Sequence, residues 1–190
     1  MNRARGEATR EETLVRAALD GDARAYDQIY SQHAQRLYRT CHALLGNGAD
    51  AEEAVQEVFV RAFRKLDSFN FRSQLSTWLH GIAVRICLNL RRGRRRRERL
   101  DAAVAQCPPR ARRDTSPDEQ AQASELARRF HQALGQLPEK KRIPFLLFHA
   151  EGFDLAKTAA ITSASVQTTH ARIQSAREVL LAAALEGTEP

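Results

Sequence analysis

The sequence predicts an all-α protein built from two small helical domains that a flexible basic linker joins. Apolar residues recur every three or four positions along most of the 190 residues, the spacing of amphipathic helices, and strand-like alternation is almost absent. An arginine-rich stretch containing Pro108-Pro109, with Pro117 beyond it, interrupts this pattern near the middle of the chain. The chain is therefore predicted to divide there.

Composition narrows the class of function. The formal charge of +7 favours a polyanionic partner such as nucleic acid or an anionic membrane surface. No apolar run is long enough for a membrane span and the N-terminus has no apolar signal core, so a cytoplasmic location is expected. Cys41, Cys87 and Cys107 are isolated, and nucleotide-binding, metalloprotease and nucleophile motifs do not occur. No enzyme activity, metal or cofactor is expected.

The first helices are marked by their end signals. Residues 1–21 combine a polar, arginine-rich segment with a short helix. Asp22 is the predicted N-cap of a long amphipathic helix, which Gly46 ends. This helix and the next two are predicted to form the first domain, residues 22–99.

The third helix has an acidic face. Asp50 is its predicted N-cap, and its end is expected near Asp67. The opposite, apolar stripe is predicted to be buried and comprises Val55, Phe59, Ala62 and Leu66. An acidic face on an otherwise basic chain suits a basic partner protein, although such a stripe is more often only solvent-facing. The candidate protein-binding residues are Asp50, Glu53, Gln56 and Glu57.

Aromatic and basic side chains surround the start of the fourth helix. Ser73 is its predicted N-cap, and its buried seam is predicted to comprise Leu75, Leu79, Ile82, Ile86 and Leu90. Aromatic faces combined with cations hold unpaired bases by stacking and by phosphate neutralisation. A lone tryptophan on a helix is more often a core anchor, and that alternative stays open for Trp78. The candidate base-binding residues are Phe69, Asn70, Phe71, Arg72, Ser73, Trp78, Arg85 and Asn89.

The basic charge of the chain is concentrated in one segment. Between residues 91 and 113, ten arginines stand against Glu98 and Asp101, a local charge of about +8, so the rest of the chain nets about −1. The part that continues the fourth helix is predicted to contact phosphates, which adds salt-dependent affinity but no sequence information. The later arginines fit a solvated linker over residues 100–116. The candidate phosphate contacts are Arg91, Arg92, Arg94, Arg95, Arg96 and Arg97.

The second domain, residues 117–190, is predicted to end in a helix-turn-helix. Helices are expected to open at Ser116-Pro117 and at Pro138, and Pro144 predicts a kink or a late start in the second of them. Residues 154–162 and a helix from Val166 form the two arms, with Thr169, Ile173, Ala176 and Leu180 facing inward. The candidate groove-facing residues are Gln167, Thr168, His170, Arg172 and Gln174.

These segments resemble a known family. Residues 50–63 (DAEEAVQEVFVRAF), followed by Ser76-Thr77-Trp78-Leu79 and Ile82-Ala83, resemble conserved region 2 of bacterial sigma factors, in particular of the extracytoplasmic-function (ECF) subfamily. Leu137-Pro138-Glu139-Lys140, Glu151-Gly152-Phe153 and Ser165-Val166-Gln167-Thr168 are similar to region 4. The resemblance covers residues 22–97 and 117–184.

The resemblance implies a dissociable subunit of bacterial RNA polymerase that recognises promoters and has no catalytic residue. The acidic stripe would bind the clamp helices of the largest subunit, and the second domain would contact the flap of the second-largest. Residues 69–73 would capture a flipped minus-10 base, while Trp78, Arg85 and Asn89 would support strand separation or hold the duplex edge. The helix-turn-helix would read the minus-35 element, and an anti-sigma factor is a common partner in the family.

The chain also departs from the family pattern. Thr158, Thr162, Ser163, Ala164 and Thr169 stand where the family usually has Ile, Leu, Gly, Ile and Val, which predicts a smaller and more polar helix-turn-helix core. The recognition helix has fewer cations than is usual. More of the promoter discrimination is therefore expected in the first domain.

Two other classes of protein fit parts of the sequence. A free-standing helix-turn-helix regulator that binds operators as a dimer would explain the C-terminal half and the basic charge. A basic protein associated with RNA or the ribosome would explain the arginine run. Neither gives the acidic stripe of the third helix a role.

Overall fold

Eight α-helices and one short 3-10 helix form the described residues, 2–105 and 125–185, of a computed structural model of the chain. No strand occurs in this part of the chain, so the predicted all-α class is confirmed. The chain divides into two units, residues 1–109 and 110–190. None of the helices in the described ranges combines the length and the apolar content of a membrane span.

The first unit contains four helices. They are α1 (Asn2–Leu19), α2 (Ala23–Leu45), α3 (Gly48–Arg64) and α4 (Leu75–Ala105), with a 3-10 turn at Leu66–Ser68. Helix α2 begins and ends as predicted, because the Asp22 carboxylate accepts a hydrogen bond from Arg24 N at 2.9 Å and Gly46 adopts a left-handed φ of 84°. Helix α4 continues to Ala105, past residue 99, where the first domain was predicted to end.

The predicted N-cap of α3 is wrong by one helical turn. Asn47, not Asp50, is the N-cap: its side-chain oxygen accepts a hydrogen bond from Asp50 N at 2.7 Å, and its amide donates to the Asp50 carboxylate at 2.6 Å. Both residue types are good caps, and the pair forms a reciprocal cap with Asp50 as the partner in the first turn. The helix ends at Arg64, short of the predicted end.

Large apolar side chains fill the interior of the first unit. The predicted buried stripe of α3 is confirmed, since Val55, Phe59, Ala62 and Leu66 are all buried. In the predicted seam of α4, Leu75, Leu79 and Ile86 are buried, whereas Ile82 and Leu90 are only half-buried. Val15 and Ala18 of α1 are fully buried, so the last turns of α1 belong to this core.

The second unit contains the remaining four helices. They are α5 (Glu125–Gln136), α6 (Glu139–His149), α7 (Leu155–Thr162) and α8 (Val166–Leu185). Helix α6 runs through Pro144 from its start at Glu139, so the expected late start is wrong. The helix opening predicted at Ser116 lies outside the described residues, as does most of the predicted linker.

The predicted helix-turn-helix is confirmed in its elements. Asp154 caps α7 by accepting a hydrogen bond from Lys157 N at 2.7 Å, and Ser163 turns the chain with a left-handed φ of 52° before α8 begins. The four residues predicted to face inward, Thr169, Ile173, Ala176 and Leu180, are all buried.

Candidate nucleic-acid interface

The acidic stripe of α3 lies on the surface of the first unit. Glu53 and Gln56 are exposed, and the half-buried Glu57 accepts a hydrogen bond from Arg61 one turn later. Asp50 differs from them, because its carboxylate accepts from the Asn47 amide and lies 3.3 Å from the Arg94 guanidinium. Asp50 therefore links α3 to α4, while Glu53, Gln56 and Glu57 form the solvent-facing part of the stripe.

The two aromatic rings of the loop between the 3-10 turn and α4 have different environments. Phe69 is 4% exposed, whereas Phe71 is 38% exposed and adopts a left-handed φ of 57°. The Phe69 ring lies 4.9 Å from that of Phe71, edge to face, and 5.4 Å from that of Trp78. Phe69 is thus the buried support of a platform, and Phe71 is the ring that solvent can reach.

This arrangement corrects two expectations for the loop. Phe69 cannot offer its face to a base without leaving the core, because only 4% of it is exposed. Ser73 is not the N-cap of α4, since the helix begins at Leu75 and Gln74 O accepts the first helical hydrogen bonds, from Thr77 N and Trp78 N. Asn70 instead organises the loop locally, because its side-chain oxygen accepts from Arg72 N at 3.2 Å. The Asn70 and Arg72 side chains are exposed beside Phe71.

Trp78 is half-buried, between the two interpretations that the sequence left open. Its contact with Phe69 makes it part of the platform below Phe71. Arg85 and Asn89 follow on α4 and are both exposed. The structure therefore brings the aromatic loop and the basic flank of α4 into one unit, with Phe71, Arg85 and Asn89 open to a ligand.

The arginines at the end of α4 fall into two groups. Arg91 is half-buried and donates a hydrogen bond to Leu44 O at 3.1 Å, which satisfies a carbonyl at the C-terminal end of α2, and Arg94 pairs with Asp50. These two arginines link helices within the unit. The other four predicted phosphate contacts, Arg92, Arg95, Arg96 and Arg97, are exposed on a helix that carries no acidic residue between them.

The helix-turn-helix presents a mostly neutral polar surface. Gln167, Thr168, His170 and Gln174 are exposed and Arg172 is half-buried. Gln174 Nε2 and His170 Nε2 lie 3.3 Å apart, one turn from each other, and Thr168 is held by the Ser165 hydroxyl, which accepts from Thr168 N at 3.1 Å. Amide and imidazole groups of this kind can hydrogen-bond to base edges in a major groove.

Ionisable side chains inside the first unit are structural. His80 is fully buried, and burial lowers its pKa to about 4, while its Nδ1 donates a hydrogen bond to Ser76 O at 2.7 Å. Cys41 and Cys87 are both buried, and their mutual hydrogen bond and burial raise the pKa of the Cys87 thiol. Within the described ranges, no cluster of His, Cys, Asp and Glu could hold a metal ion.

Two residues near the loop were missed by the sequence argument. Glu11 Oε1 accepts a hydrogen bond from Leu75 N at 2.8 Å, and the Arg16 guanidinium lies 6.0 Å from the centre of the Phe71 ring. No local pattern signals either contact, because α1 and the loop are far apart in the sequence. Only a general rule, that the first amides of a helix need acceptors, indicates that an acceptor for Leu75 must exist.

The first unit carries an acidic helix beside an aromatic and basic one, and the second ends in a helix-turn-helix, an element typical of DNA-binding proteins. Residues 29–97 match the family model for Sigma-70 region 2, and residues 127–187 match that for Sigma-70 region 4. The ECF RNA polymerase sigma factor SigM of Mycobacterium tuberculosis is 30% identical over 164 residues, which cover 86% of this chain and 79% of SigM.

Further comparisons agree. The ECF RNA polymerase sigma factor SigW of Bacillus subtilis is 28% identical over 172 residues, which cover 87% of this chain and 92% of SigW. The sigma factor RpoE of Bartonella quintana, solved in complex with the anti-sigma factor NepR, superposes with a TM-score of 0.66 at 26% identity, covering 86% of this chain and 98% of that one. The chain belongs to the ECF subfamily of bacterial RNA polymerase sigma factors, and its function is promoter-specific initiation of transcription with RNA polymerase.

Proposed function

We propose that the two surfaces of the first unit divide the work of initiation. The exposed stripe of α3, Glu53, Gln56 and Glu57, binds the clamp helices of the polymerase, with Asp50 holding α3 in place. Residues 70–73, supported by the buried Phe69, and the basic flank of α4 hold the melted minus-10 element. The observation that carries this proposal is the exposed Phe71 ring on the buried Phe69 support, next to the exposed Arg72 in the same loop.

Phe71 is the residue on which a flipped base would stack. Unstacking a base from duplex DNA costs a few kcal/mol, and stacking on an aromatic ring returns about 1–3 kcal/mol per base. Stacking alone therefore does not melt the duplex, and contacts from the polymerase core supply the rest. The exposed arginines of α4 add phosphate contacts, so the isolated chain binds duplex promoter DNA weakly and with a steep salt dependence.

The remaining assignments follow from the same proposal. Residues 22–99 act at the minus-10 element, residues 117–190 read the minus-35 element through Gln167, His170 and Gln174 and contact the flap, and residues 100–116 connect the two. The chain itself catalyses no reaction, because the polymerase performs phosphoryl transfer. Since it acts with RNA polymerase, it works in the cytoplasm.

We also propose an anti-sigma factor as a regulatory partner. The support is the Bartonella quintana sigma factor, 26% identical, whose structure was solved with its anti-sigma factor bound. An anti-sigma factor is expected to bind this chain and to displace it from RNA polymerase core in a competition assay.

Reconstituted transcription tests the proposal. The purified chain is added to bacterial RNA polymerase core together with a promoter library in which both elements are randomised, and the transcripts are sequenced. A defined pair of promoter elements among the transcribed members is the expected result. No transcript above the background of core alone, together with no binding to core, would refute the proposal.

A charge-reversal pair then tests the α3 surface. Glu53→Lys is expected to weaken core binding because it places a cation on the acidic stripe. Asp27→Lys makes the same change in charge at an exposed position of α2 and serves as the control. Equal binding of the two variants would remove the stripe from the proposed core interface.

A further inference from the structure

Helix α1 lies outside the matched region 2 segment but inside the fold of the first unit. The family model begins at residue 29, whereas α1 ends at Leu19. Val15 and Ala18 are fully buried, so the last turns of α1 pack into the core of the first unit. A helix with this packing can hold neighbouring backbone in place.

Glu11 of α1 caps the start of α4 from a distance of 64 residues in sequence. Its carboxylate accepts the hydrogen bond of Leu75 N at 2.8 Å, one of the amides that a helix leaves without an internal acceptor. A carboxylate at this end of a helix is also favoured by the helix dipole. The junction between the aromatic loop and α4 is thus fixed by α1 and not by Ser73, which stands in the loop itself.

Arg16 of α1 contacts the exposed Phe71 ring of the loop. Its guanidinium lies 6.0 Å from the centre of the Phe71 ring, within cation–π range, and Glu12 holds it through a 2.6 Å ion pair. Phe71 adopts a φ of 57°, a conformation that a bulky residue rarely adopts. Such a conformation persists only where its surroundings enforce it. The contacts of the Phe71 ring with Phe69 and with Arg16 supply those surroundings.

We infer that Glu11 and Arg16 are positioning residues for the minus-10 site, and that α1 holds the base-receiving loop in its working conformation. This inference rests on the proposed function of Phe71 as the stacking platform. Glu11 fixes the point where the loop enters α4, and Arg16 fixes the direction of the exposed ring. The guanidinium also places a positive charge beside the ring, which suits the phosphate that flanks a flipped base.

The test uses holoenzyme assembled from the full chain and bacterial core polymerase. Its probe is the strongest promoter recovered from the randomised library, with 2-aminopurine in the minus-10 element to report unstacking. Opening is measured on this promoter and on single-base variants of its minus-10 element. Core binding and the unfolding midpoint of each variant are measured in parallel, so that a loss of folding is recognised.

Two pairs of substitutions test the two positioning residues. Glu11→Ala is expected to reduce opening about tenfold and to flatten the preference among minus-10 bases, because Leu75 N loses a charged acceptor. Glu11→Gln keeps an acceptor and should stay within about twofold of wild type. Asp20→Ala, an exposed carboxylate just beyond α1, is the control and should change neither readout.

Arg16→Gln keeps the inference testable if Glu11→Ala does not fold, because Arg16 is 67% exposed. Arg16→Gln should reduce opening about threefold, because it removes one exposed cation–π contact. Arg10→Gln, on the same helix, is the control and should have no effect. If Arg16→Gln opens the promoter and selects minus-10 bases as wild type does, the proposed role of Arg16 is wrong. If a folded Glu11→Ala does so, the proposed role of Glu11 is wrong. Phe71→Ala tests the proposed function separately. If this variant opens DNA like wild type, the proposed stacking of a base on Phe71 is wrong, whatever Glu11 and Arg16 do.

Discussion

The two units of the chain are stabilised in different ways. In the first unit, side chains reach across the sequence to satisfy helix ends: Glu11 caps α4 from 64 residues away, and Arg91 binds Leu44 O from 47 residues away. In the second unit, Asp154 caps α7 from only three residues away. In the first unit the start of α4 and the end of α2 therefore depend on tertiary packing, although Asp22 and Asn47 cap the starts of α2 and α3 locally. The helix-turn-helix caps α7 from local sequence.

The two units also differ in the side chains that fill their interiors. The largest fully buried side chains of the first unit include Ile29, Leu37 and Leu79. Those of the second unit are Leu147 and Pro144 in α6 and, in the helix-turn-helix, Thr158 and Thr169. The Thr158 hydroxyl donates a hydrogen bond to Asp154 O at 2.9 Å. Hydroxyl groups contribute less than methyl groups to burial free energy, so the helix-turn-helix has a weaker apolar core than the platform that carries Phe71.

A cavity in the first unit tests its dependence on apolar packing. Leu79→Ala should lower the free energy of unfolding of the first unit by about 2–5 kcal/mol, because Leu79 is fully buried. Urea unfolding followed by fluorescence measures it, since Trp78 is the one tryptophan of the chain. Leu19→Ala, at an exposed position of the same unit, should change its stability by less than about 0.5 kcal/mol. A loss of less than about 1 kcal/mol in the free energy of unfolding of Leu79→Ala would contradict the dependence of the first unit on its apolar core.

Acid should destabilise the first unit through His80. The folded unit holds the His80 pKa at about 4, below the ordinary 6.5, so between these values only the unfolded chain binds the proton. Stability is therefore full above pH 6.5 and falls by about 3 kcal/mol as the pH drops to 4. Urea unfolding across this range should show the loss in wild type and a much smaller one in His80→Gln, where His33, whose pKa burial also lowers, still contributes. His170→Gln, at an exposed position, should retain the wild-type pH dependence.

Two neighbouring arginines separate a structural role from a DNA-binding one. Arg91→Ala should lower the stability of the first unit by about 1–3 kcal/mol, because Leu44 O loses a charged donor, and should leave the salt dependence of DNA binding nearly unchanged. Arg92→Ala should do the reverse, reducing the salt slope by about one while changing stability by less than about 0.5 kcal/mol. Unfolding and holoenzyme–promoter titrations at several salt concentrations measure both. If both variants have the same salt slope, Arg91 and Arg92 do not differ in the roles proposed for them.

A buried hydroxyl gives the smallest expected effect. Thr169 Oγ1 is buried and has no hydrogen-bonding partner among the residues that the structure describes. Thr169→Val should raise the stability of the second unit by about 1 kcal/mol, because it removes a desolvated polar atom at nearly constant volume. Hydrogen exchange of peptides from α8 measures the gain. Thr77→Val makes the matched change at a buried hydroxyl of the first unit, and a loss of stability in Thr169→Val would show that its hydroxyl is satisfied.

Periodicity and capping residues predicted most of the helices. The bounds of α2, the buried stripe of α3 and the inward face of α8 could be predicted because each depends on spacing within one helix and on residues at its ends. The N-cap of α3 could not, because Asn47 and Asp50 are both good caps within one turn. The burial of Phe69 could not either, since Phe69 and Phe71 have the same side chain and lie in the same loop.

The sequence by itself determined the helices, the division into two units and the positions of the acidic, aromatic and basic residues, because these follow from local spacing and composition. Tertiary structure alone decided which of those residues are available to a ligand. It buried Phe69 and exposed Phe71, and it engaged Arg91 with Leu44 and Asp50 with Arg94. Residues more than forty positions apart meet only when helices pack, and no local pattern encodes such contacts.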